Sequence, residues 1–249
     1  MEKLKYRKAL VISDNTFLIK EFHQLMSSYN DVVVDYSCTR SNSALLNDTT
    51  LPVKIQPVDV KSEYSDIAVK YDLIFSLHCK QLFPAQLVAK VKCINVHPGY
   101  NPNNRGWFPQ VFSILNKLPV GATIHEIDEQ LDHGAIIARR EVEMNVWDTS
   151  SDIYTRVQQA EVELLKENIA TILQGTYKTI KPEEEGNINL KKDFNSLCKL
   201  DLDKEMTLGH AIDLLRALTH DKYANAYFMD PKTGSKVYVK ISLEKEGQK

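Results

Sequence analysis

The chain has 249 residues, with 31 Lys and Arg against 33 Asp and Glu, a formal charge of −2. That length supports one large domain with a sizeable core, or a main domain with a small appendage. The near-neutral balance argues against duplex nucleic acid or an anionic membrane as the main partner, and 43% hydrophobic with 26% charged residues excludes wholesale disorder.

Ala9 to Ser13 is a short apolar run closed by turn residues, the pattern of a buried parallel strand. Asn15 or Thr16 then caps a helix whose Phe17, Leu18, Phe22, Leu25 and Met26 recur at helical spacing. Val32 to Tyr36 is a second strand, and the polar stretch from Ser37 to Pro57 reads mostly as loop. Asp72 to Ser76 and Cys93 to His97 are the third and fourth strands. Strands alternating with helical segments predict an α/β fold, a mostly parallel sheet covered on both faces. A helix over 107–116, a strand over 120–127 and extended segments from Ala135 to Val142 follow. A long amphipathic helix begins at Asp148 or Thr149 and ends at Gly175. Charge, Pro and Gly cluster at Lys181 to Gly186, which divides the chain into a core, 1–182, and a C-terminal module, 183–249. That module is expected to hold a short helix over 207–218 and a hairpin around Asp230-Pro231-Lys232-Thr233-Gly234.

None of the nine glycines precedes Gly99, and four lie between Gly99 and Gly134. A glycine-rich phosphate loop near the N-terminus is thereby excluded, which moves the expected chemistry to the middle of the chain. No apolar run reaches the ~18 residues of a membrane span, and the start does not read as a secretory signal. The four cysteines form no C-x-x-C pair, so neither a zinc knuckle nor a dithiol site is expected. Cys79 and Cys93 read as small core residues, and a cytoplasmic, reduced protein is the expectation.

In Asn95-Val96-His97-Pro98-Gly99 the Asn and His are two apart, so on a strand they share one face. Pro98 stops the ladder and Gly99 lets the chain turn, placing an amide and an imidazole at the carboxyl end of a parallel strand, where open α/β sheets bind ligands. Downstream, Asp132 precedes Gly134 by two and is placed to orient His97. Each pattern by itself also fits a buried histidine or an Asx turn; the combination is much more specific.

Asn95-x-His97-Pro98-Gly99 followed by Asp132-x-Gly134-x-Ile136-Ile137 resembles the signature of the N10-formyltetrahydrofolate-dependent formyltransferases. The segments 76–80, 101–109 and 215–228 most resemble the branch acting on dTDP-4-amino-4,6-dideoxyglucose. The resemblance implies a Rossmann-like formyltransferase core with a helix-and-hairpin C-terminal module. It also implies N10-formyltetrahydrofolate as cosubstrate, a dTDP-linked amino sugar made for surface polysaccharide as acceptor, no metal, no nucleic acid or membrane partner, and a homodimer. Asn95, His97 and Asp132 are the implied catalytic residues, with Asn95 donating to the developing oxyanion. His97 acts either as general base or, kept charged by Asp132, as proton donor. Lys80, Leu82 and Asp128 are implied on the folate side. Asn104, Arg105, Trp107, Tyr223 and Asn225 are implied on the sugar-nucleotide side, where Arg pairs with diphosphate and an aromatic ring covers sugar or base.

Overall fold

The computed structural model describes residues 3–247. β1 (Lys8–Ser13) leads through α1 (Thr16–Met26) to β2 (Val33–Thr39), then α2 (Ser43–Leu46), β3 (Ile55–Val58), α3 (Val60–Lys70), β4 (Leu73–Leu77), α4 (Ala85–Val88) and β5 (Lys92–His97). After the short β6 (Arg105–Gly106) come α5 (Pro109–Asn116), β7 (Gly121–Glu126), β8 (Ile136–Glu141) and the long α6 (Ser150–Gln174). The remainder carries β9 (Ile188–Asn189), α7 (Lys191–Cys198), α8 (Leu208–Leu218), β10 (Thr219–His220), β11 (Tyr223–Ala224), β12 (Tyr227–Met229) and β13 (Lys236–Tyr238).

Seven strands form one sheet in the order β3-β2-β1-β4-β5-β7-β8. The first five run parallel, while β7 lies antiparallel to both β5 and β8. The period of two sorts the side chains: Ala9 and Val11 enter one hydrophobic layer with α1, α5 and α6, and Leu10 and Ile12 enter the other with α3 and α4. Both faces are therefore covered, which is why the parallel strands read as nearly unbroken apolar runs. Ser37 to Pro57 is not all loop. It contains α2 and the edge strand β3, whose Pro57 sits where an edge strand tolerates the missing N–H.

The 25-residue α6 starts in a capping box of Thr149 and Asp152, worth about 1 kcal/mol. Ile153, Val157, Ala160, Leu164, Ile169 and Leu173 are buried along it, and Gly175 closes it at φ +67°. No described helix is long and apolar enough to cross a membrane. The C-terminal residues do not stand apart, since Phe194, Ala217, Leu218 and Ala226 join the same hydrophobic cluster as the sheet. Arg216, 3% exposed, donates to the carbonyls of Asn145 and Asp148 and pairs with Asp213, fastening α8 to the approach to α6.

Candidate active site

The floor of the site is the end of β5. Ile94 and Val96 fill the larger hydrophobic layer and Cys93 the smaller, so by alternation Asn95 and His97 share the Cys93 face. Register with antiparallel β7 sets His125 opposite Asn95 and Thr123 opposite His97. The Thr123 hydroxyl donates to the Gly99 carbonyl at 2.7 Å and accepts from the Asn101 N–H at 3.1 Å, which pins the turn after the strand. A Cβ on Gly99 would stand 2.5 Å from His97 Nε2. The imidazole thus occupies space that only glycine leaves open.

Asp132 reaches this floor from the loop between β7 and β8. That loop folds back against β7 because Gly134 has no side chain; its Cβ would lie 1.8 Å from the Glu126 carbonyl oxygen. Asp132 itself sits at φ +48°, and His78, Asn104 and Phe108 are also left-handed, a concentration of unusual backbone around one site. Asp132 Oδ1 accepts from Asn95 Nδ2 at 2.9 Å, and Oδ2 accepts from the Gly106 N–H at 3.1 Å and lies 3.5 Å from His97 Nδ1. His125 Nδ1 donates to the Glu126 carbonyl at 2.6 Å, so its Nε2 carries a lone pair and accepts from Asn95 Nδ2 at 3.2 Å. Both amide hydrogens of Asn95 are therefore engaged, the weaker contact being that to His125.

Burial opposes charge on both members of the His97–Asp132 pair, with unequal results. His97 falls from 6.5 to about 4, because desolvation outweighs the attraction of Asp132. Asp132 is pushed up by burial, yet His97, His125 and the Gly106 N–H together hold it at about 2. At neutral pH the pair is a neutral imidazole beside a carboxylate, Nδ1–H faces Asp132, and Nε2 is a buried lone pair with no partner among the described residues. The neutral form is the one that the general-base role expected of His97 requires. We expect the His97 imidazole to stay neutral from about pH 8 down to about pH 5 and to take up its proton with a midpoint near 4, read by NMR titration of its ring signals. A His97 signal that titrates near 6.5 would contradict this. Stability follows the same shift: the unfolded chain protonates this histidine near 6.5 and the folded one only near 4, so the contribution is complete above 6.5 and lost as pH falls toward 4.

Above the floor lies a cleft of about 790 Å³, within the size range of small-molecule sites. Asn95, His97 and Asp132 line it together with Lys80, Leu82, Trp107, Tyr223 and Asn225. Leu82 is 73% exposed and so is available to a ligand, not a core residue. Cys93 is in the core as expected, and Cys79, half-buried, packs against the same layer while also bordering the cleft. Trp107 presents its ring to Lys191 Nζ at 5.3 Å from the centroid and is followed by Phe108 stacked on Phe194 at 4.0 Å.

Three expected contacts are not brought to this cleft. Asn104 is fully buried and spends its amide on Ser113, Asn116, Asn187 and Asn189, making it a clamp between the turn and the C-terminal segment. Arg105 is 5% exposed and pairs with Glu185 at 2.7 Å, while β6 is zipped to β9. Asp128 holds His133 Nδ1 at 2.6 Å, and both line an adjoining, smaller cleft of about 180 Å³ with Arg105 and Glu185, which shares Asp132 with the main cleft. The sequence patterns did not single out Ser150, Tyr154, His220, Phe108, Leu190 and Phe194, which also line the main cleft. Buried Glu161, paired with His78 at 2.7 Å, did leave a signal, as a carboxylate on the buried side of an amphipathic helix. Burial pushes the Glu161 carboxyl up, and His78 offsets part of this.

A site with a neutral imidazole, a carboxylate that orients it and an amide beside both, at the carboxyl edge of an open sheet, is built for acyl-group transfer to a nucleophile. The Formyl transferase family matches residues 47–169, and the N-formyltransferase dimerization C-terminal domain matches residues 193–245. The dTDP-4-amino-4,6-dideoxyglucose formyltransferase of Mycobacterium tuberculosis is 53% identical over 188 residues, 76% of this chain and 80% of that one. A 4-N formyltransferase from Francisella tularensis superposes with a TM-score of 0.92 at 50% identity, covering 96% of this chain and 98% of that one. A sugar N-formyltransferase from Shewanella sp FDAARGOS_354 does so at 0.89 and 44%, with 96% and 98% covered. The chain belongs to the formyltransferase family, in its sugar N-formyltransferase branch.

Proposed function

We propose that the protein transfers the formyl group of N10-formyltetrahydrofolate to the 4-amine of a dTDP-linked 4-amino-4,6-dideoxyhexose of glucose configuration. The observation that carries the mechanism is the buried, unpartnered Nε2 of His97, beside a carboxylate that fixes its tautomer. A neutral amine attacking a formyl carbon gains a positive charge and must shed a proton; His97 Nε2 accepts it and returns it to the folate N10 as the C–N10 bond breaks, which releases tetrahydrofolate and restores the neutral imidazole. Asp132 stabilises the imidazolium that forms, an interaction stronger in the transition state than before it. Asn95 donates to the formyl oxygen as negative charge builds there. One of its hydrogens must leave a present partner, and the longer bond, to His125, is the one exchanged.

The cleft fits two ligands meeting over β5. We assign the folate to exposed Leu82 and neighbouring Lys80, and the sugar nucleotide to Trp107, Tyr223 and Asn225, all of which line this cleft. The matched C-terminal domain supports a homodimer, and the segment 183–249, anchored through β9 and α8, is read as the substrate-facing module. A cytoplasmic site of action goes with a soluble donor and acceptor. Formylation of methionyl-tRNA is disfavoured because the C-terminal segment mixes acids and bases freely, where a tRNA-binding appendage is basic. A non-catalytic sugar-nucleotide binder would have no use for the oriented His97.

Incubation with N10-formyltetrahydrofolate and dTDP-4-amino-4,6-dideoxyglucose is expected to yield the N-formyl sugar nucleotide by mass spectrometry, and no product would refute the reading. His97→Asn is expected to lower kcat by ~10²–10⁴ with both ligands still bound. Unchanged turnover would remove His97 from the mechanism.

A further inference from the structure

β1 and β4 are neighbours in the sheet, and from them the strand order runs outward in opposite directions, toward β2 on one side and β5 on the other. Open α/β sheets take ligands at such a switch point. Four polar side chains meet there: Asn15, which caps α1; His78, just past β4; and Tyr154 and Glu161, two turns apart on α6. None has a part in the chemistry assigned to Asn95, His97 and Asp132, yet His78 and Tyr154 line the same cleft.

The hydrogens in this cluster can be placed. Asn15 Oδ1 accepts from the Leu18 N–H at 3.1 Å, so its Nδ2 is the atom 3.1 Å from His78 Nδ1 and 3.3 Å from the Tyr154 hydroxyl. A donor facing Nδ1 requires a lone pair there, which puts the His78 proton on Nε2, 2.7 Å from Glu161 Oε1. The Tyr154 hydroxyl is also 3.1 Å from Nδ1. Two amide hydrogens and one hydroxyl hydrogen therefore face two acceptors, His78 Nδ1 and the Tyr154 oxygen. The amide is held by the helix cap and the hydroxyl rotates, so the hydrogen left over is that of Tyr154. Next to it, the Ser150 hydroxyl donates to the Thr219 carbonyl at 2.9 Å and accepts from His220 Nδ1–H at 3.0 Å. His220 Nε2 is then a lone pair without a partner among the described residues, on a ring 5.5 Å from that of Tyr154.

We propose that Tyr154 and His220 form a donor–acceptor pair that reads a group of the sugar nucleotide able both to accept and to donate a hydrogen bond. Glu161, accepting from His78 Nε2–H, is the positioning residue: it keeps Nδ1 as the acceptor for Asn15 and so holds the Asn15 amide and the Tyr154 ring in this arrangement. The groups with that chemistry are a sugar hydroxyl and the imide edge of a pyrimidine base. This rests on the sugar-nucleotide reading above, and wild-type turnover separates the two: if the wild type makes no product, that reading fails first.

Given wild-type turnover, Tyr154→Phe is expected to raise KM for the dTDP-amino sugar about ten-fold, leaving kcat and the folate KM within about two-fold. If inhibition by dTDP alone weakens equally, the group read lies on the nucleotide; if dTDP inhibition is unchanged, it is a hexose hydroxyl. Either result supports the pair, whereas an unchanged sugar KM, or an equal rise in the folate KM, overturns it. Glu161→Ala is expected to reproduce the selective rise and to add nothing to Tyr154→Phe in the double variant. Glu161→Gln, whose amide oxygen still accepts from Nε2–H, is expected to restore the wild-type KM. A Glu161→Ala enzyme that is merely less stable, with no selective KM change, overturns the positioning role. Should that variant fail to fold, His78→Phe, which fills the ring's space and offers Asn15 no acceptor, takes its place with the same expected result.

Discussion

Asp132→Asn is expected to lower kcat by ~10³–10⁴ without unfolding the protein. Both oxygens of Asp132 are surrounded by donors: Asn95 Nδ2 at Oδ1, and the Gly106 N–H and His97 Nδ1 at Oδ2. An amide in its place must turn its NH2 toward one of these sets. Turned toward His97, it makes Nδ1 the acceptor and moves the imidazole proton to Nε2, which removes the lone pair that takes the amine proton. Turned toward Asn95, it displaces the donor to the formyl oxygen. An inverted histidine tautomer costs ~10⁴ in hydrolase triads of the same logic, and loss of an oxyanion donor ~10²–10³. Single-turnover kinetics would read the chemical step directly. A variant within ten-fold of wild type would show that Asp132 orients nothing.

Gly99→Ala is the smallest change with a comparable effect, an expected loss of ~10²–10⁴ in kcat. The added methyl would lie 2.5 Å from His97 Nε2, 2.8 Å from Cδ2 and 3.2 Å from Pro109 Cβ. The imidazole is 4% exposed, with Asp132 Oδ2 3.5 Å from Nδ1 and the His125 ring 6.2 Å away, so the methyl is accommodated only by displacing the ring from this position. The ring is expected to tilt away from the incoming amine, with ligand affinities retained because the methyl meets protein and not the open cleft. Near-normal kcat together with weakened ligand binding would place the obstruction in the cleft and contradict the geometry.

Much of this arrangement was legible in the linear chain. The parallel strands announced themselves as short apolar runs because both faces of the sheet are buried, and α6 was marked by its cap, its periodicity and Gly175. Parity alone placed Asn95 and His97 on one face. Edge strand β3 was hidden because an edge strand needs neither a long apolar run nor a full set of donors. Arg105 and Asn104 looked like ligand contacts because both are polar and follow the catalytic turn. Their partners, Glu185, Asn187 and Asn189, arrive from 80 to 85 positions downstream when β9 joins β6. No local pattern reveals these partners, although Arg105 Nε is left without one among the described residues.

The sequence by itself determined which functional groups are present and, through the two-residue period of a strand and the placement of glycine, which of them share a face and where the chain must turn. The tertiary structure decided where the protons reside. His97 is neutral with its lone pair at Nε2, Asn95 has both hydrogens engaged, and Tyr154 has one to spare. Those outcomes depend on partners such as His125, Asp132 and Glu161, 30 to 83 residues away in the chain. They depend also on desolvation, which exists only once the core has closed over the site.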